Sequence, residues 1–157
     1  MIAMSASWSE KHPLSHIRAT TAERVSTDPS LSAFWILRIG FVVLPLLMGL
    51  DKFANMMTYW PDYLAPWVIA ILPFSAQTAM HVVGVVELVA AASMIIKPRY
   101  ASYVLALWLL GIIINLVSMG IFLDVALRDV GLLVAALALT RLASKYDKPW
   151  GAKHGTR

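Results

Sequence analysis

Residues Leu31–Leu50 read LSAFWILRIGFVVLPLLMGL, twenty positions with one charge, Arg38, and one proline, Pro45. About 20 apolar residues span a bilayer as a helix, so this stretch is read as a membrane crossing. Two further runs are as long and as apolar: Ala76–Ile96, which carries His81 and Glu87, and Ala101–Phe122, which carries Asn115. A fourth, from Val125 to Ala143, completes the set. A charge at the centre of a spanning helix costs ~2.5–3.5 kcal/mol on insertion scales, so such groups turn towards a partner or a cavity. The expected fold is all-α: a polytopic membrane four-helix bundle with a polar interior.

The rest of the composition agrees. Of 157 residues, 59% are hydrophobic and 14% charged, and the mean hydropathy is +0.71; soluble domains are about 25% charged. Backbone groups in lipid must be satisfied within a helix or a closed barrel, and the strand alternation a barrel needs is absent. With no cysteine, a dithiol relay and a thiolate metal site are excluded. The net charge of +4 is distributed by topology and gives no sign of nucleic acid. Lys11, Arg18, Arg24, Lys97, Arg99, Arg141, Lys145, Lys148, Lys153 and Arg157 all fall on one side of the four runs, and only Lys52 and Arg128 on the other. Lys- and Arg-rich short loops stay cytoplasmic, so both termini are expected inside, with the chain integral to the inner membrane.

Outward from the runs, residues 1–28 read as a polar cytoplasmic arm without a core, 29–144 as the transmembrane domain and 145–157 as a polar tail. Asp28 with Pro29 marks a helix start, Ser75 caps the second run, and Asp124 is the expected cap of the fourth, with Arg128 its helical neighbour. Between the first two runs lies an aromatic connection (Phe53, Tyr59, Trp60, Tyr63, Trp67, Phe74). Its apolar piece, residues 67–72, is too short to span and reads as an interfacial or re-entrant segment over the outer mouth.

Helical spacing sorts the interior faces. The first run presents Arg38, Val42, Pro45, Gly49 and Lys52; the second Met80, Gly84, Glu87, Ala91 and Met94; the third Gly111, Asn115 and Ser118. Depth at about 1.5 Å per residue puts Arg38 near Glu87, His81 level with Asn115, and Asp51, Lys52, Arg128 and Asp129 in an outer layer with Lys52–Asp129 as the favoured pair. An Arg38–Glu87 pair would either fix helix register or form a proton-linked or headgroup-binding site. His81 is either a hydrogen-bonded structural residue or a quinone or proton ligand. A metal or haem site is disfavoured, since the runs hold a single histidine.

The chain resembles the DoxX-like family of small four-helix membrane proteins. The resemblance rests on Arg38-Ile39-Gly40, Gly49-Leu50-Asp51-Lys52-Phe53, Tyr63-Leu64-Ala65-Pro66, Gly84-Val85-Val86-Glu87 and Ala126-Leu127-Arg128-Asp129, over roughly residues 33–143. It implies a subunit associated with thiosulfate:quinone oxidoreduction, or an anchor for partner enzymes, with Arg38, Lys52, Glu87 and Asp129 as the shared polar positions. The expected function is therefore a non-catalytic accessory or anchor subunit in contact with lipid and a redox enzyme. A quinone, if bound, would be held by His81 and Asn115, with Glu87 and Arg38 exchanging the proton. The alternative is a small proton-coupled transporter, working as a homo-oligomer through Glu87.

Overall fold

The computed structural model describes Val25 and residues 27–147; the readings made of the rest of the arm and of the tail beyond Asp147 lie outside the described residues. Helix α1, Pro29–Ala54, opens where expected: the Asp28 carboxylate accepts from the amides of Ser30 (3.0 Å) and Leu31 (3.3 Å), with Pro29 at the first helical position. It closes at Asn55, whose left-handed backbone (φ 50°) turns its amide onto the Asp51 carbonyl, 2.7 Å. A 3-10 turn, Trp60–Tyr63, and a six-residue helix α2, Pro66–Ile71, form the connection. Helix α3, Ala76–Ile96, is capped by Ser75, whose hydroxyl accepts from Thr78 N at 3.2 Å. Lys97 alone separates it from α4, Pro98–Met119, which ends on Gly120 at φ 73°. Helix α5 is Leu123–Tyr146. No strand occurs among the described residues. Helices α1, α3 and α4 are each long and apolar enough to cross a membrane.

Two boundaries differ from expectation. Asp124 is not the cap of α5: Phe122 occupies that position without a side-chain bond. Asp124 sits in the first turn, where a carboxylate faces the positive end of the helix dipole, and it meets Arg128 at 3.5 Å as foreseen. At the other end, α5 runs past residue 144 because Tyr146 is tied back to the start of α1. Its hydroxyl donates to Asp28 Oδ2 at 2.9 Å and touches the Ser30 hydroxyl, while Lys145 Nζ reaches Ser30 Oγ at 3.1 Å.

Helix α1 packs most closely on α3 and α4 on α5, and lighter α1–α5 and α3–α4 contacts close the bundle. The two halves of the bundle differ in kind. Towards the Asp28 end lies an apolar core that includes Phe34, Phe41, Met94, Leu105, Leu109 and Leu139. Towards the Trp60 end, the same helices pack on glycines and charges. The interior faces read for α1 and α3 are largely observed: Pro45, Gly49 and Lys52 are buried, as are Met80, Gly84, Glu87, Ala91 and Met94. That of α4 is not. Its buried face is Ala101, Ser102, Leu105, Ala106, Leu109 and Leu116, with Gly111 and Ser118 exposed. A Cβ on Gly111 would meet nothing within 4 Å, so its smallness marks no close approach.

Candidate functional site

The site begins with two glycines. Helices α1 and α3 touch backbone to backbone: a Cβ on Gly49 would lie 2.9 Å from the Gly84 carbonyl oxygen, and one on Gly84 would lie 2.8 Å from that of Gly49. One turn beyond each glycine stands a charge, Lys52 on α1 and Glu87 on α3. The helices run antiparallel, so these residues lie on opposite sides of the crossing. Helical side chains lean towards their own N-terminus, which tilts both back towards it. Lys52 Nζ meets Glu87 Oε2 at 2.8 Å, with both residues under a tenth exposed.

The connection roofs this pair. The Trp60 ring lies over the Lys52 ammonium, 3.8 Å from centroid to Nζ, a cation–π contact. Its indole N–H donates to Asp51 Oδ2 at 2.7 Å, and the same carboxylate accepts from the amides of Met56 (3.1 Å) and Met57 (3.2 Å). Asp51 thus folds the chain after α1 so that Trp60 covers its neighbour Lys52. Asp129, half-buried on α5, is felt electrostatically by both Lys52 and Glu87. The ion pair itself joins Lys52 to Glu87 alone; among the described residues Asp129 makes no ion pair with Lys52.

This changes the expected pairings. Arg38 does not meet Glu87. Contacts along α1 and α3 keep one antiparallel register, Gly49 with Gly84 and Phe53 with His81, which brings Arg38 level with Ile95. Glu87 lies eight residues away, about 12 Å along the axis. Arg38 instead donates through Nε to the Met94 carbonyl (3.3 Å) and through Nη2 to that of Ile95. These are carbonyls of the last helical turn, which have no partner within the helix. The favoured Lys52–Asp129 pair is likewise replaced by Lys52–Glu87. Arg128 leaves the outer layer altogether, its side chain 76% exposed beside Asp124.

His81 and Asn115 do not form one layer. The His81 ring stacks on Phe53 (centroids 5.1 Å apart, 12° between planes) and its Nε2 lies 2.8 Å from Gln77 Nε2. An amide nitrogen only donates, so Nε2 accepts and the ring proton resides on Nδ1. Asn115 clamps the connection: Nδ2 donates to the Tyr63 carbonyl (2.6 Å) and Oδ1 accepts from Ala65 N (2.9 Å). Trp67 adds a bond to Ser118 Oγ (2.8 Å), and Tyr63 stacks on Phe122 at 4.3 Å.

The sequence reading left Trp60 among the interfacial aromatics and gave Gln77 no role. Gln77 was legible, one helical turn before His81. Trp60 was not, because its place depends on the turn that Asp51 organises. No group of three or more potential metal ligands occurs among the described residues. Neither a family model, nor a curated protein, nor a solved structure matches this chain.

Proposed function

We propose that the chain is an integral inner-membrane protein of four crossings with both termini cytoplasmic, and that it serves as an accessory or anchor subunit of a larger membrane assembly beside a redox enzyme. One observation carries the reading: the polar groups inside the bundle are bonded to the bundle itself. Lys52 answers Glu87, Asn115 holds the backbone of Tyr63 and Ala65, and Arg38 closes the end of α3. Only the Trp108 indole N–H is buried without a partner among the described residues. Between helices in lipid, packing and hydrogen bonds rather than apolar burial drive association, so such bonds suit a scaffold.

The outer surface suits lipid and partner helices. Ile36, Leu47, Val104, Leu107, Leu127 and Val134 all stand exposed. For α5 as the fourth crossing, 24 residues give about 36 Å of helix. The redox association rests on the resemblance to DoxX-like proteins. Asn115, with its amide committed to the connection, offers little to a quinone, which leaves His81 and its Nδ1 proton as the better-placed group.

A second reading, a proton-coupled transporter acting as an oligomer, rests on Glu87, a buried carboxylate within the bundle held by the single ammonium of Lys52. Purification of the tagged chain in mild detergent, with mass spectrometry of co-eluting polypeptides and lipids, separates the two. A stoichiometric redox partner, lost with Glu87→Gln, is the expected result. A homo-oligomer alone, with a proton flux that Glu87→Gln abolishes, would put the transporter in its place.

A further inference from the structure

At the Asp28 end of the bundle, a groove runs along α1 in two chambers. The first, about 460 Å³, is walled by Leu31, Phe34 and Tyr146 and rimmed by Asp28 and Asp147. The second, about 220 Å³, is lined by Ile39, Val42, Val43 and Ile95. Trp35 and Arg38 belong to both and stand at the junction. The Arg38 guanidinium lies over the Trp35 ring, 5.0 Å from its centroid.

The charges at the junction are unevenly matched. Asp28 accepts from the Ser30 and Tyr146 hydroxyls, and Asp147 accepts from Arg99 N and faces Lys97 Nζ at 3.7 Å. Arg38 has its two carbonyls and, among the described residues, no carboxylate within ion-pair distance. Its Nη1 donates to no described residue. The group left to be matched is therefore a cation presenting a free donor edge, with an apolar channel below it.

We propose that Arg38 and Trp35 bind an anionic phospholipid of the cytoplasmic leaflet, with the phosphate on Arg38 Nη1 and an acyl chain along Ile39, Val42, Val43 and Ile95. The inference rests on the membrane placement proposed above. Depth within that placement agrees with it: Arg38 leans towards the start of α1 and comes level with the last turn of α3. A guanidinium offers paired donors to phosphate oxygens, and an indole prefers the headgroup level. The wall residues of the second chamber have no polar side-chain atom, which fits a chain of methylenes.

The test is native mass spectrometry of the delipidated full chain in detergent, titrated with phosphatidylglycerol, phosphatidylcholine or glycerol 3-phosphate. One phosphatidylglycerol should be retained at least tenfold more tightly than phosphatidylcholine, with no competition from glycerol 3-phosphate. Arg38→Gln should remove the preference. Because Arg38 also closes α3, Val43→Trp provides a second variant, filling the lower chamber from a partly exposed position and weakening retention with an unchanged helical spectrum and melting point. Equal retention of the two lipids overturns the proposal, as does undiminished binding in a folded Val43→Trp chain. Displacement by glycerol 3-phosphate would mean a site for a soluble phosphate ester. Any of these outcomes leaves the membrane placement standing so long as the chain stays in carbonate-washed membranes.

Discussion

Lys52 is 4% exposed, and its ammonium has a carboxylate on one side and an indole face on the other. Removing one member of a buried pair strands a charge and costs about 3–5 kcal/mol, whereas replacing both with apolar groups is often neutral or better. Lys52→Met alone should accordingly destabilise the bundle by several kcal/mol on that scale, and Lys52→Met with Glu87→Leu should recover most of the loss, as read by thermal melting in detergent. Asp28 makes a different prediction. The Ser30 hydroxyl first, and the Tyr146 hydroxyl after it, hold its carboxyl at about 2 against an ordinary 3.8. A depressed acid stabilises fully above the unfolded value and loses that contribution as the pH falls through the folded one. The advantage in melting temperature of the native chain over Asp28→Asn should therefore persist down to about pH 4 and vanish towards pH 2. Residue types and helical faces were legible in the sequence and singled out Lys52 and Glu87 as interior, but the depths set them in different layers. Their pairing was not legible, because it depends on where two helices cross and which way each side chain leans.

At the scale of elements, the Gly49–Gly84 crossing decides that register. A Cβ on Gly84 would press within 2.8 Å of a carbonyl oxygen, a backbone atom that moves only if the helix moves. Overpacking of this kind costs about 1–3 kcal/mol, and parting α1 from α3 would also loosen Lys52 from Glu87. Gly84→Ala should lower the melting point clearly. Gly40→Ala, where a Cβ meets nothing within 4 Å, should leave it unchanged or raise it through the better helix propensity of alanine. The interior face of α3 could be read from sequence because its small and polar residues recur every three or four positions and do face a neighbour. The same rule failed on α4: Asn115 and Ser118 are directed to the connecting segment, a partner with no helical period to announce it.

For the whole molecule, the apolar core at one end and the roofed charge cluster at the other give the bundle a direction. In the proposed topology the roofed end faces outward. The natural chain has no cysteine, so single-cysteine variants label without background. Met56→Cys, at a position 86% exposed beside the roof, should react with an impermeant maleimide on intact cells, and Ser144→Cys only after permeabilisation; the reverse pattern would invert the protein. The proposed orientation rests on the basic-residue bias alone. The division into a packed half and a charged half was not legible in the sequence, since it arises from which helices touch and where.

The ion pair also constrains how such a chain is made. Lys52 and Glu87 are 35 residues apart, so in the proposed membrane placement α1 leaves the ribosome before α3 does. In that topology Lys52 would be carried to the far side before its partner Glu87, with its neighbour Asp51 to offset the charge. On that topology the first helix would gain the partner for Lys52 only when the third arrives. The proposed topology therefore implies that the two enter as a hairpin, with the insertion machinery holding α1 until α3 follows.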